Sequence, residues 1–404
     1  MSDDSNASNA IDTRLMHTGL AAFDPATGSA PVALPAMRTS TVRFQNLDAL
    51  DTAQRLKARG DRVVTYGRMG MDTNAALETV FAQLENGTHT YLAPSGLSAI
   101  TLVMLSLMSA GDHALVSDNV YGPVRHLDHE LLKRLNIEVT YFSTADDVAA
   151  LARPNTKMIY VESPGSLLFE MLDLPALAAI ARSLDVPLVA DNTWGSGYIY
   201  RPLDLGAQVS VVAGTKYVGG HSDLLMGAVV TNDATIARRL NATQYAMGYS
   251  VSADDAWLAL RGVRTLPIRM AQHAKNALDV CAFLDARADV LRVFHPAWHK
   301  DAGHALWQRD CTGSNGMLAV HLDLSPAAGR AFVDALKLFG IGFSWGGFES
   351  LVQFVDTGVL RSHDYWVSQG EQSGSVVRLH IGLESVEDVI ADLTQALDHA
   401  SAVS

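Results

Sequence analysis

The sequence predicts an α/β protein: a large domain on a mainly parallel sheet, followed by a smaller α+β C-terminal domain. Three observations carry this expectation. Between residues 66 and 262, short β-branched runs alternate with helical periods, the pattern of a parallel sheet with crossover helices. Beyond Gly262 the alternation slows into one long helical run over 266–284, with fewer strands after it. The chain has 404 residues, 48% hydrophobic and 18% charged, which suits a globular protein with two or three cores.

Taken in order, residues 1–65 show no strong apolar period until 47–56. They read as an extended N-terminal arm with one short helix, unable to bury a core alone and expected to contact a neighbouring subunit. In the α/β domain, 66–262, strands are expected at 89–92, 113–117, 138–142, 158–162, 187–190, 209–213 and 227–231. Segment 174–184 (LPALAAIARSL) carries apolar residues at helical spacing between two of them. In the C-terminal domain, 263–404, strands are expected at 317–322, 341–344 and 376–381, with a closing helix over 386–399.

The totals limit the partners. With Lys+Arg 30 against Asp+Glu 43, the formal net charge is −13, which argues against nucleic acid or an anionic membrane surface. Small molecules or further subunits fit better. Cys281 and Cys311 form no C-x-x-C or zinc spacing and read as reduced. The start is polar and acidic, without the features of a signal peptide, and the apolar stretch 97–110 is too short to span a bilayer. A cytoplasmic protein is expected.

Several strands end in residues suited to chemistry, as in open sheets whose ligands lie at the carboxyl ends of strands. Lys216 follows the apolar run 209–213 among small residues, with no acidic residue immediately before it. Desolvation disfavours an ammonium and frees the amine for Schiff-base chemistry. A lysine snorkelling from a strand end is the alternative. The other lysines (57, 133, 157, 275, 300 and 337) all lie in polar turns or on amphipathic helices.

Possible partners for that amine follow from similar arguments. Asp191 ends an apolar strand, where a carboxylate needs a cation or serves as a cap. Gly96 and Leu97, between a strand and a helix, offer backbone N–H groups to a phosphate, or a common cap. Thr215 could add its hydroxyl. Tyr66 and Arg68 in a Gly-rich loop could both reach phosphate oxygens, and a surface turn explains them as well. Tyr121 could stack on a ring or fill the core. Arg378 interrupts an apolar strand, either forked onto a carboxylate or facing water. His126 and His129 on a helix carry no zincin motif, so a solvated face is expected and no metal.

Together these segments resemble the Cys/Met-metabolism family of pyridoxal-phosphate (PLP) enzymes, of fold type I. The marks are YGRMG from Tyr66, SGLSA from Ser95, ESPGS from Glu162, ADNTW from Ala190, TKYVGGHSD from Thr215, LRGVRTL from Leu260, SWGGFESL from Ser344 and VRLHIGLE from Val377. The resemblance implies a PLP cofactor bound as a Schiff base to Lys216, with Asp191 on the pyridine nitrogen and Tyr121 stacked on the ring. It implies Gly96, Leu97 and Thr215 on the phosphate, with Tyr66 and Arg68 reaching the phosphate of a neighbouring subunit. Arg378 would take the substrate α-carboxylate beside Ser344 and Trp345, and Tyr245 would approach from a neighbour. A dimer at least, usually a homotetramer, is implied.

Within the family the chain is most similar to the bacterial cystathionine β-lyase branch. Trp345 stands where γ-acting relatives commonly carry leucine, Phe343 where they tend to have glutamate, and Ser166 replaces the Asn of their ESP-x-N. Pro123 stands where methionine γ-lyases carry cysteine. The resemblance implies α,β-elimination of a thioether amino acid such as cystathionine, giving homocysteine, pyruvate and ammonia, with Lys216 and Tyr121 handling protons. A γ-lyase or γ-synthase is the alternative within the family, and a non-catalytic binding or regulatory protein the alternative of another class.

Overall fold

The computed structural model describes residues 9–143, 146–361, 363–369 and 374–402. Helix α1 (Ile11–His17) is followed by a long extended stretch and α2 (Leu47–Ala58), where Asn46 caps the first turn. α3 (Asp72–Glu85) leads into β1 (His89–Ala93) through Asn86, a left-handed residue that ends the helix. α4 (Gly96–Leu107), β2 (His113–Ser117), α5 (Gly122–Leu127), β3 (Glu138–Phe142), β4 (Thr156–Glu162), α6 (Leu174–Ser183), β5 (Leu188–Asp191), β6 (Val209–Val212), β7 (Gly227–Thr231), α7 (Ala234–Met247) and α8 (Ala253–Val263) complete the first layer system.

Its seven strands run in the order β1-β7-β6-β5-β4-β2-β3. β2 to β6 pair in parallel, while β7 is antiparallel to both of its neighbours. Strands β2, β5, β6 and β7 are buried along their whole length, because helices cover both faces. On one face α4 and α7 pack on Val189, Val209, Val211 and Val229. On the other, α3 meets Val212 and Ala228 while α6 meets Leu115, Ile159 and Leu188. The period of two along each strand therefore sorts the side chains into two cores.

α9 (Leu266–Asp285) opens the second part, followed by β8 (Val290–Phe294), α10 (His304–Asp310), β9 (Met317–Leu322), α11 (Pro326–Ala335), β10 (Gly340–Ile341), β11 (Leu351–Val355), α12 (Asp364–Gln369), β12 (Ser375–His380) and α13 (Val386–Ser401). Its five strands run β10-β11-β12-β9-β8, antiparallel except for the β10–β11 pair. Val280, Leu284, Phe332, Leu393 and Leu397 from α9, α11 and α13 pack against this sheet. Helices α4, α6, α8, α11 and α13 all start at a Ser or Asp whose side chain accepts a backbone N–H. Among the described residues no helix is long and apolar enough to cross a membrane.

The expected strand at 341–344 is corrected: β10 stops at Ile341. Ser344 and Gly346 both have positive φ, 82° and 90°, which breaks extended structure. Strands β8 and β11 were not expected, because each alternates or mixes polar and apolar residues at the sheet surface. The arm also contains α1, whose Leu15 is fully buried. Arg264 donates to the Leu15 and Thr18 carbonyls at 2.5 and 2.6 Å, so this first part of the arm packs on its own chain.

α9 is tied to the loop after β6 by one buried side chain. Arg269 donates to the Tyr217 carbonyl (2.8 Å), the Gly262 carbonyl (2.9 Å) and Thr265 Oγ1 (3.0 Å). Gly220 makes room for it: a Cβ there would lie 2.0 Å from Arg269 Nη1. Replacing Arg269 by Met strands the Tyr217 carbonyl, while the Gly262 carbonyl keeps the Thr265 N–H and hydroxyl, and we expect a loss of about 2 kcal/mol, seen as a lowered thermal midpoint. An unchanged midpoint would mean that the loop is held by other contacts.

Candidate active site

Three neighbouring parallel strands deliver the functional groups at their carboxyl ends. Glu162 closes β4, Asp191 closes β5, and the two are register partners across the ladder. β6 ends at Val212, and the chain turns through Gly214 to Lys216. Asp191 Oδ1 accepts from the Thr193 N–H (2.9 Å) and hydroxyl (2.6 Å), and Tyr160 donates to Oδ2 at 3.2 Å. Burial raises the Asp191 carboxyl, while the Thr193 and Tyr160 donors and the Lys216 charge oppose this.

Lys216 Nζ donates to Ser344 Oγ at 2.5 Å and lies 5.1 Å from the centroid of the Trp345 ring. Burial is the main cause that lowers its ammonium to about 8; Arg378 adds to the shift and Asp191 opposes it. Arg378 comes from β12 of the second sheet and donates to the Ser344 carbonyl over a long 3.4 Å. Burial brings its guanidinium down to about 10, against the pull of Tyr121 and Glu162. Lys216, Asp191, Arg378, Ser344, Trp345 and Tyr121 are thus brought together, and of the six only Asp191 lies within β4 to β6.

Tyr121 precedes α5, and its N–H donates to the Glu162 carboxylate. Its ring is about half exposed (46%). Burial of the phenol, together with Glu162 and Asp191, raises its pKa, so it stays protonated near neutrality. Gly96 and Leu97 are the first two residues of α4, where N–H groups have no intrahelical partner. A Cβ at Gly96 would lie 2.6 Å from that of Ala213, which sets this helix start against the lysine loop. Thr215 is next to the lysine, but its hydroxyl donates to the Met226 carbonyl (3.1 Å) and accepts from the Met226 N–H (3.0 Å).

Tyr66, Arg68 and Tyr245 form a separate group. Arg68 donates to the Tyr245 carbonyl at 3.3 Å and stands 4.6 Å over its ring, while Tyr66 is 49% exposed. Lys57 of α2 lies 5.4 Å over the same Tyr245 ring, and Tyr66 forms a β-bridge with Thr41 of the arm. His129 pairs with the adjacent Glu130 at 2.8 Å.

The residue that sequence reasoning passed over is Glu162. It is half-buried, takes hydrogen bonds from Tyr121 and from Ser166 Oγ (2.7 Å), and faces Asp191. Burial first, then the Asp191 charge, raises its carboxyl well above the usual range. The signal was available, since Glu162 ends an apolar strand just as Asp191 does. Tyr160 and Thr193, which orient Asp191, gave no such signal because they read as core and turn.

The family model for Cys/Met metabolism PLP-dependent enzymes matches residues 12–398. The chain belongs to this family. It is 68% identical over 391 residues to a cystathionine beta-lyase of Bordetella avium, covering 97% of this chain and 98% of that one. Against the cystathionine beta-lyase of Escherichia coli K12 it is 37% identical over 367 residues, with 88% and 91% covered. The cystathionine gamma synthase of Xanthomonas oryzae pv. oryzae, in complex with aminoacrylate and cysteine, superposes with a TM-score of 0.88 at 31% identity, covering 98% of this chain and 100% of that one. The fold is therefore the type I PLP-dependent fold, and the family uses PLP.

The residues of this Cys/Met-metabolism enzyme fit that cofactor. Asp191 is a buried carboxylate whose hydrogen-bond donors, among the described residues, are all neutral, which suits a cationic ring nitrogen. A helix start with a glycine pressed on the lysine loop suits a phosphate. The electrostatics can be tested without the cofactor. In the cofactor-free chain, amine labelling of Lys216 should accelerate as pH rises through about 8, below the ordinary lysine value of about 10.4. Arg378→Leu should move that titration up and Asp191→Asn down, and shifts of the same sign would contradict this account.

Proposed function

We propose that the chain is a PLP-dependent carbon–sulfur β-lyase that cleaves cystathionine to homocysteine, pyruvate and ammonia by α,β-elimination. The observation that carries this reading is a half-buried amine, lowered to about 8, confined between the Ser344 hydroxyl and the Trp345 ring with the half-buried Arg378 guanidinium beside it. Such an amine is a competent base near neutral pH. The names of the Bordetella and Escherichia relatives support the choice of reaction.

In this reading Asp191 holds the proton on the pyridine nitrogen, Gly96 and Leu97 N–H groups hold the phosphate, and Tyr121 covers the ring. Thr215 joins the phosphate by turning its hydroxyl away from Met226. Bound there, the cofactor supplies an electron sink for the pair left when the Cα–H bond breaks. Arg378 forks onto the α-carboxylate, using N–H donors that its single long bond to Ser344 does not occupy. The free amine of Lys216 would take the Cα proton. The protonated Tyr121 phenol gives its proton to the departing sulfur, and Glu162 keeps Tyr121 in place through its N–H.

A γ-elimination needs the base to serve Cβ as well as Cα. The Trp345 ring, packed also on Tyr217 at 5.4 Å, restricts the sweep of Lys216 and favours the shorter proton path. The structural likeness to a gamma synthase keeps the γ reaction as the competing reading, to be separated by products. We also propose the functional division 1–65, 66–262 and 263–404, with Tyr66, Arg68 and Tyr245 completing the site of a neighbouring subunit in a cytoplasmic homotetramer. The exposed Tyr66 and Tyr245 rings, away from their own lysine, support it.

With cystathionine, the expected keto acid is pyruvate, and 2-oxobutyrate as the main product would replace this reading by the γ one. Lys216→Ala should lose the borohydride-sensitive visible absorbance and at least about 10³-fold in turnover; a cofactor-free, inactive wild-type chain would point to a binding protein instead. Trp345→Leu should raise the 2-oxobutyrate share, measured by separating the two keto acids.

A further inference from the structure

The segment that presents Ser344 and Trp345 to Lys216 has little regular structure to hold it. It lies between β10, which ends at Ile341, and β11, which starts at Leu351. Ser344 and Gly346 are both left-handed, at φ 82° and 90°, and a non-glycine residue there is costly unless its surroundings hold it. Gly346 presses directly on the lysine backbone: a Cβ there would lie 2.9 Å from the Lys216 carbonyl carbon and the Tyr217 nitrogen. The far end of the segment is anchored independently, since Leu383 donates to the Phe348 carbonyl (2.8 Å) and Glu384 accepts from the Ser350 N–H (2.8 Å) and hydroxyl (2.9 Å).

Nearer the lysine, beyond the Ser344 contacts with Lys216 and Arg378, the turn meets one buried imidazole. His380, the last residue of β12 and two positions beyond Arg378, is buried. Gly346 N–H donates to its Nε2 at 3.1 Å, and its Nδ1 lies 3.0 Å from the Glu349 carbonyl. An amide can only donate and a carbonyl can only accept, so the ring is neutral with its proton on Nδ1. Its neighbours agree: His273 stands 5.1 Å away, and Tyr217 at 5.9 Å supplies an aromatic wall. Burial first, and then His273, Arg378 and Lys216, oppose a second proton on the ring.

We propose that His380 is a positioning residue: with its proton held on Nδ1 by the Glu349 carbonyl, it clamps the 344–349 turn through the Gly346 N–H, and so sets Ser344 and Trp345 against the amine of Lys216. The same strand then places the carboxylate-binding Arg378 and the residue that aims the turn at the base, two positions apart and on the same side of the pleat. The consequence for turnover rests on the β-lyase reading. The clamp itself does not.

Two side chains separate the two hydrogen bonds. His380→Gln can put an amide oxygen near the Nε2 position and keep the bond from Gly346, whereas His380→Asn reaches only as far as Nδ1 and keeps the bond to Glu349. In the full-length holoprotein, backbone hydrogen exchange of the 344–350 peptide should be at least tenfold faster in His380→Asn than in wild type, and close to wild type in His380→Gln. With cystathionine, kcat should fall 10- to 100-fold in His380→Asn with KM changed less than about threefold and the thermal midpoint kept, and His380→Gln should recover most of the loss. Wild-type exchange and kcat in His380→Asn, or equal losses in both variants, would overturn the proposal. A wild-type protein inactive on thioethers would defeat the β-lyase reading alone, because the exchange measurement would still report the clamp.

Discussion

The structure depends on drawing charged groups away from bulk water, with Asp191 buried and Glu162, Arg378 and Lys216 half-buried beside it. Asp191, Glu162, Arg378 and Lys216 are all drawn into one pocket edge, and burial is the largest cause acting on each of the four. Attraction between the opposite charges offsets only part of that cost, and the like pairs Glu162–Asp191 and Lys216–Arg378 add to it. The result is an amine lowered to about 8 and two carboxyls raised above their ordinary range. A site held in this state gains when a ligand brings a complementary ring nitrogen and carboxylate, which relieve Asp191 and Arg378 together.

Two sheets contribute unequally to that arrangement. The parallel sheet supplies Glu162, Asp191 and the approach to Lys216 from three adjacent strands, so their spacing follows from the ladder itself. The antiparallel sheet supplies Arg378, and its connecting turn supplies Ser344 and Trp345. Their position relative to Lys216 depends on how α9 and the loop after β6 are joined, which is the work of Arg269 in its glycine-lined slot. Distortion there would alter the amine's surroundings without touching any residue that meets a ligand.

The first sheet was legible because its strands are buried on both faces and read as continuous β-branched runs. The second was less so. β8 (VLRVF) carries Arg292 at the surface, and β11 (LVQFV) carries Gln353, so each mixes signals that a propensity argument cannot separate from a loop. The strand expected over 341–344 failed for the opposite reason: its composition is extended, yet Ser344 is turned left-handed to meet Lys216. Tertiary demand at a functional site overrode local preference.

What the sequence determined by itself was the set of chemical groups. A lysine, an aspartate and an arginine interrupting or ending apolar runs are costly to bury, and that cost is visible in one dimension. Family membership follows from the same motifs. Only the tertiary structure decided which groups act on one another, because such contacts depend on strand register and on turns joining distant segments. Register set Glu162 beside Asp191, and a turn held by His380 brought Trp345 over an amine 129 positions earlier in the chain.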